Sequence, residues 1–209
     1  SAQNDQISAF QDEVKRTKAK LKTATTPKAK ASVNSQVASL ETKVKDLTEV
    51  LKGIQTEKTA AEAAAGDAAA NKAKIDELTA VDPKANILVL GDFNDHPDDR
   101  SLEKILKAKE SGYANDGDLI NLFYDDNEND LGTSVYMNDW AVLDQIIVSQ
   151  SIYDGSNKIG IEKRNGFILD NEELLFTQRD GNKKPNSTYG GRRYYGGYSD
   201  HLPVYIILK

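Results

Sequence analysis

Asp92 and Asn94 stand two residues apart at the end of an apolar run, Asn86-Ile-Leu-Val-Leu-Gly-Asp-Phe-Asn94, and Ser199-Asp200-His201 stands just ahead of a second run, Leu202 to Leu208. Carboxylate, carboxamide and imidazole are the groups that carry protons, aim a water molecule and hold a hard cation. A buried strand that ends abruptly in acid and amide groups is where α/β proteins place chemistry, because the strand is rigid and the residues beyond it reach solvent. The two clusters together make a candidate site. The 209 residues contain no cysteine and two histidines, which removes disulfides, thiolate nucleophiles and Cys-ligated zinc from consideration.

The elements that must position these residues fall into two parts. Residues 1 to about 81 read as helical. Val33, Val37, Leu40, Val44, Leu47, Leu51 and Ile54 alternate spacings of four and three, an a/d seam over about three heptads that requires a partner. Ile7, Phe10, Val14 and Leu21 supply a shorter stripe, and Thr23-Ala-Thr-Thr-Pro27 carries the cap-then-proline signature of a new helix, so an antiparallel helical hairpin is expected. Lys58 to Ala80 is alanine-rich and reads as a helix that docks onto the C-terminal part through Ile75 and Leu78. Val81-Asp-Pro-Lys-Ala-Asn86 is a turn. Beyond it the pattern changes to short apolar runs between Gly, Asn and Asp clusters, which predicts strands near 86–92, 132–137, 143–149, 160–169 and 202–208, a helix over 100–109 and a short one near 118–123. The expected organisation is a helical hairpin over 1–57, coiled-coil-like, and a second domain over 58–209.

The net charge of −6, with an isoelectric point near 5.1, argues against non-specific nucleic-acid binding through a globally basic surface, but a local basic patch exists. Lys183, Lys184, Arg192 and Arg193 interleave with Tyr189, Tyr194, Tyr195 and Tyr198 shortly before Asp200 and His201. A solvated loop with aromatic anchors and a phosphate-steering surface are the two readings of that patch. Mean hydropathy is −0.60, and no apolar stretch approaches the ~20 residues needed to cross a bilayer. The start, Ser1-Ala-Gln-Asn-Asp-Gln, has neither an initiator Met nor a signal-peptide pattern, and is expected to result from processing, trimming or truncation.

Three segments in order resemble the endonuclease/exonuclease/phosphatase superfamily, whose best-known members are DNase I-like enzymes. Gly91-Asp-Phe-Asn-Asp-His-Pro97 is similar to its Gly-Asp-Phe-Asn-x-x-Pro motif, Leu143-Asp-Gln-Ile-Ile-Val-Ser149 to its Asp-bearing strand, and Tyr198-Ser-Asp-His-Leu-Pro203 to its terminal Ser-Asp-His motif. The run from Arg193 to His201 resembles a bacterial branch that includes exported proteins, so export to the periplasm or medium is the corresponding expectation. The resemblance covers roughly 58–209 and corresponds to the C-terminal half of such a domain. It implies an α/β fold, the C-terminal half of a DNase I-like α/β sandwich preceded by a helical hairpin. It further implies a metal-dependent phosphoesterase, a nuclease or phosphatase, acting on a phosphoester substrate that includes nucleic acid among its options. The superfamily's metal-binding glutamate, the asparagine near its first strand and a further His or Tyr by the phosphate have no counterpart in residues 1–57. The expectation is therefore a fragment, completed by an N-terminal half or by a partner chain. The alternative from another class is a non-catalytic interaction protein, a helical hairpin carrying a remnant domain.

Phosphodiester hydrolysis requires an aimed and deprotonated water, a cation against the phosphoryl oxygens and stabilisation of the leaving oxygen. Oxygen ligands select Mg²⁺ or Mn²⁺ over zinc. The resemblance implies that Asp92 orients or deprotonates water and touches the metal, Asn94 holds water and a phosphate oxygen, Asp200 binds metal, and His201 meets the phosphate with Asp144 fixing its tautomer. Arg192 and Arg193 join as phosphate contacts. The plain structural readings are an Asx-turn for Asp92 and Asn94, a turn cap for His201 and satisfaction of a buried amide for Asp144. His96 reads as a loop residue and Trp140 as a core or rim aromatic. Asp125, Asn127 and Asn129 follow the alternate spacing of an EF-hand, but the segment lacks the EF-hand glycine and the glutamate at position twelve, so it reads as a polar, mobile loop.

Overall fold

The computed structural model describes residues 2–115, 117–128, 131–163 and 165–209. Two compact units, Ser1–Glu62 and Ala63–Lys209, divide the chain, with the boundary inside one helix.

In the first unit, α1 (Ala2–Leu21) and the start of α2 (Pro27–Val81) pack antiparallel. Pro27 is the first residue of α2, where a missing N–H costs nothing, and the Thr26 hydroxyl accepts the Ala29 N–H at 3.2 Å. Lys18 pairs with Glu41 at 2.6 Å, and the Lys43 ammonium lies 5.7 Å from the centre of the Phe10 ring. Val37 is buried on the predicted seam. Thr17, which the apolar stripe passes over, is buried on α1 and fills the gap between Val14 and Leu21.

In the second unit the end of α2 meets a four-stranded sheet. Ala68 and Ile75 join a core with Ile87, Leu102, Leu106, Ala108, Leu119 and Ile147. Leu78, predicted as an anchor, is 43% exposed; Ala68, seven residues before Ile75 and on the same helix face, takes that place. The turn after α2 forms as expected, with Asp82 accepting the N–H of Lys84 at 2.9 Å.

The strands are β1 (Leu88–Asp92), β2 (Ala108–Lys109), β3 (Leu119–Asn121), β4 (Ser134–Tyr136), β5 (Asp139–Ala141), β6 (Asp144–Val148), β7 (Phe167–Ile168), β8 (Leu175–Thr177), β9 (Lys183–Pro185), β10 (Tyr189–Gly190), β11 (Arg193–Tyr194) and β12 (Val204–Tyr205). The main sheet runs β1-β6-β3-β2, antiparallel except for β2 with β3. The fold is therefore α/β with a mixed sheet. Three expectations change. The 118–123 segment holds β3 rather than a helix, since a three-residue apolar run buried beside β6 has no period by which to tell the two apart. The expected 100–109 helix is a π-helical turn, Ser101–Leu106; Lys107 takes a left-handed conformation, φ 61°, and turns Ala108 into β2. The Asp125 region is not a loop over its described part, because α3 (Tyr124–Glu128) covers it; Asn129 and Asp130 lie outside the described residues.

The predicted 160–169 and 202–208 strands shorten to the β7–β12 pair and an isolated bridge between Ile161 and Leu208. Gly166 precedes β7 because any side chain there would run into the Phe123 ring.

β6 is apolar on both sides, and its alternation sorts the molecule into faces. Ile147 points toward the α2 core. Ile146 and Val148 join the second core, with Ile120, Leu122, Phe123, Val142, Ile161 and Ile152 of the short helix α4 (Gln150–Asp154), against which Val204 and Ile206 pack. By the same parity Asp144 shares the face of the C-terminal segment, and Gln145 shares that of α2.

Candidate active site at the Asp144 and His201 pair

β6 opens on Asp144 and β1 closes on Asp92, and the antiparallel register makes these two residues direct partners. Directly opposed residues place their side chains on one face, roughly 5 Å apart at Cβ. His201 reaches the same place from the C-terminal segment, its Nδ1 2.6 Å from Asp144 Oδ2. With the carboxylate oxygen accepting, Nδ1 is the donor of this contact, and among the described residues no hydrogen bond engages Nε2. Both side chains are largely but not fully buried, 25% and 20% exposed.

Thr133 brings the two together. Fully buried, its hydroxyl accepts the backbone N–H groups of Leu143 and Asp144, each at 3.1 Å, while its carbonyl accepts the N–H of Leu202 at 2.7 Å. One residue thus holds the start of β6 and the residue after His201. Ser134 bridges His201 in addition, and the Ser199 hydroxyl accepts the His201 N–H at 3.1 Å.

On the other side, Asp92 Oδ1 accepts the Asn94 N–H at 2.9 Å, and Asn94 adopts φ 51°. The Asx-turn expected as the plain reading is present. It engages one carboxylate oxygen and turns the Asn94 side chain out of the strand line. The loop beyond is held from below by Gln145, which is fully buried and donates to the carbonyls of Asp95 and Val142 at 2.6 and 2.9 Å while accepting from Asn121 at 2.6 Å. Sequence reasoning singles out neither Thr133 nor Gln145. The only sign of Gln145 is a carboxamide inside an otherwise apolar strand, which must have buried partners. Burial raises the Asp95 carboxyl above its ordinary range, opposed by a hydrogen bond from Ser101 and supported by the Asp99 charge.

The remaining predicted residues make other contacts. His96 is half-buried, with Nδ1 2.8 Å from Asn127 Oδ1, so it ties the loop to α3. Asp200 is exposed and contributes its backbone carbonyl to the Ser134 hydroxyl at 3.5 Å. Arg192 and Arg193 are exposed at the tip of the β10–β11 hairpin; among the described residues no hydrogen bond or ion pair joins them to Asp144 or His201. Trp140 is a rim aromatic, lining with Leu131, Phe167 and Leu202 a cavity of about 400 Å³.

A sequence model of the endonuclease/exonuclease/phosphatase family matches residues 53–209. The chain belongs to that family. No curated protein and no solved structure matches it. Members of the family generally hydrolyse phosphoester bonds and commonly use divalent metals. Among the described residues, however, no three His, Asp or Glu side chains gather closely enough to hold a metal ion. Asp92 and Asp200 do not by themselves fit a resident cation. No helix in the described residues is long and apolar enough to cross a membrane.

Proposed function

We propose that this chain carries a phosphoester-hydrolysing centre in which His201, held by Asp144, binds and polarises the phosphoryl group, with Asp92 and Asn94 aiming the attacking water. The observation that carries this reading is the 2.6 Å contact between His201 Nδ1 and Asp144 Oδ2, across 57 positions of sequence, on the face where Asp92 opposes Asp144. In the reaction, water oxygen bonds to phosphorus, its proton passes to the Asp92 carboxylate, and the bond to the ester oxygen breaks. His201, protonated and held by Asp144, donates from Nε2 to the phosphoryl oxygens, where negative charge accumulates. Asn94 holds the water by its carboxamide. The leaving alkoxide takes up a proton from solvent.

Hydrolysis of bis(p-nitrophenyl) phosphate tests this reading. Turnover that Asp92→Asn lowers by about 100-fold supports it; a rate equal in Asp92→Asn and the parent removes Asp92 from the mechanism.

A second feature bears on how the centre is completed. Leu88 and Leu90 share the face of Asp92, yet are 39% and 61% exposed, and among the described residues β1 pairs only with β6 and forms a sheet edge. An apolar free edge is a template for another segment. We propose that such a segment, from an N-terminal half or a partner chain, covers this face and adds donors beside Asp92, with the hairpin of residues 1–57 as an insertion or extension. The intact mass of the protein isolated from its source, set beside the 23.0 kDa of this chain, distinguishes a longer polypeptide from a separate partner.

A further inference from the structure

We propose that the aromatic and cationic surface between Phe176 and Tyr198 binds an unpaired nucleic-acid strand, which, resting on the hydrolytic reading of the Asp144 and His201 centre, makes single-stranded nucleic acid the substrate class of this chain. These 23 residues carry five cations, Arg179, Lys183, Lys184, Arg192 and Arg193, against one acid, Asp180, in a chain whose net charge is −6. Lys183 is committed to Glu172 at 2.5 Å. The other four have no carboxylate partner among the described residues. Such a local excess of positive charge is matched by a polyanion, which gains from counterion release on binding.

The same segment exposes five large aromatic side chains, Phe176, Tyr189, Tyr194, Tyr195 and Tyr198, each between 50% and 67% accessible. Rings and cations are paired rather than scattered. The Arg193 guanidinium lies 5.4 Å from the centre of the Tyr195 ring, the Lys184 ammonium 6.0 Å from that of Phe176, and Tyr189 and Tyr194 face each other across β10 and β11 at 5.2 Å. Phe176, Lys184, Asn186, Ser187 and Tyr195 line one cleft of about 260 Å³. A nucleobase finds there an aromatic face to stack on, a carboxamide for its edge and an ammonium for its phosphate.

The platform is held in place and leads to the active site. Thr188 and Asn186 accept the N–H groups of Tyr195 and Tyr198 at 2.8 and 2.7 Å, and the Thr188 hydroxyl donates to the Tyr198 carbonyl at 2.6 Å. Gly197 lies against the Asn186 carbonyl, where no side chain fits. His201 follows Tyr198 by three residues, at most about 10 Å of backbone. A strand stacked on these rings therefore has its phosphates within reach of the proposed centre.

Unpaired strands suit this surface better than a duplex, whose base faces are already stacked and closed to tyrosine rings. A lipid surface suits it less, since four of the five rings carry hydroxyls and lie among Gly, Asn, Ser and Thr rather than in an apolar wedge.

The test is fluorescence anisotropy with a labelled oligothymidylate of about 12 nucleotides, on the Asp92→Asn chain so that turnover does not intrude, beside a duplex of equal length and phosphatidylserine-containing vesicles. The expected result is binding of the single strand at least about tenfold tighter than of the duplex, weakened about 5- to 100-fold by Tyr194→Ala or Tyr195→Ala. The double variant Arg192→Ala, Arg193→Ala lowers the slope of log affinity against log salt by about 1.4. Equal affinity for duplex, indifference to the tyrosine variants, or binding to vesicles alone overturns the proposal. Hydrolysis of bis(p-nitrophenyl) phosphate is read separately: strand binding without hydrolysis fells the catalytic reading and keeps the platform, and hydrolysis without strand binding does the reverse.

Discussion

Asp92 and Asp144 face each other as the last pair of the β1–β6 register, and only Asp144 has an imidazole beside it. The asymmetry separates their proposed roles. Asp144 is engaged with His201 Nδ1, whereas Asp92 is exposed and holds the Asn94 N–H with one oxygen, leaving the other for a water.

His201→Ala is expected to lower turnover by two or more orders of magnitude with little change in the thermal midpoint, because the ring, although largely buried, belongs to neither apolar core. Steady-state kinetics and a melting curve on the same preparation check it. An unaltered rate removes His201 from the mechanism.

Asp144→Asn is expected to reproduce part of that loss, since a carboxamide keeps the contact with His201 but no longer supports a charged ring. Near-native melting with reduced kcat is the predicted outcome. Unfolding without a separable kinetic effect makes Asp144 structural.

Gln145→Ala is expected to destabilise the protein by about 2–4 kcal/mol, because it orphans the Asn121 amide and the carbonyls of Val142 and Asp95 and leaves a cavity. Urea denaturation measures the change. A shift under about 0.5 kcal/mol, the range of ordinary surface substitutions, shows that water replaces the side chain.

Asp95 sets a pH dependence. Burial raises its folded pKa, so the folded chain keeps a proton that the unfolded chain, titrating near 3.9, has released. The favourable contribution is present below the unfolded pKa and is lost as pH rises through the folded one. Asp95→Asn, neutral at every pH, is expected to melt higher than the parent at pH 7, with the difference vanishing toward about pH 3. A variant that melts lower at neutral pH contradicts the assignment.

Leu40→Asp is expected to disrupt the helical hairpin while the sheet survives, because seam contacts are local and the two units are separately compact. A loss of far-UV helicity with retained near-UV signal from Trp140, the single tryptophan, is the outcome to look for. Simultaneous loss of both signals means one cooperative unit.

The sequence alone determined the features that obey local rules. Periodicity marked the helices and the seam, Thr26 and Pro27 marked the start of α2, and the apolar runs ending at Asp92 and beginning at Asp144 marked the two strands that matter, since helix period, caps and strand alternation are written in neighbouring residues. The ordered Gly-Asp-Phe-Asn, Leu-Asp and Ser-Asp-His segments pointed to the endonuclease/exonuclease/phosphatase family. Short elements were not legible: β3 passed for a helix, α3 for a loop and a π-helical turn for an α-helix, because three to six residues are too few to show a period. Tertiary structure decided the rest. The opposition of Asp92 and Asp144, the clasp of Thr133 on Asp144 and Leu202, and the burial of Gln145 beneath the Asp95 loop depend on register and long-range pairing. Those are set by which surfaces pack together, and no local run of residues encodes them.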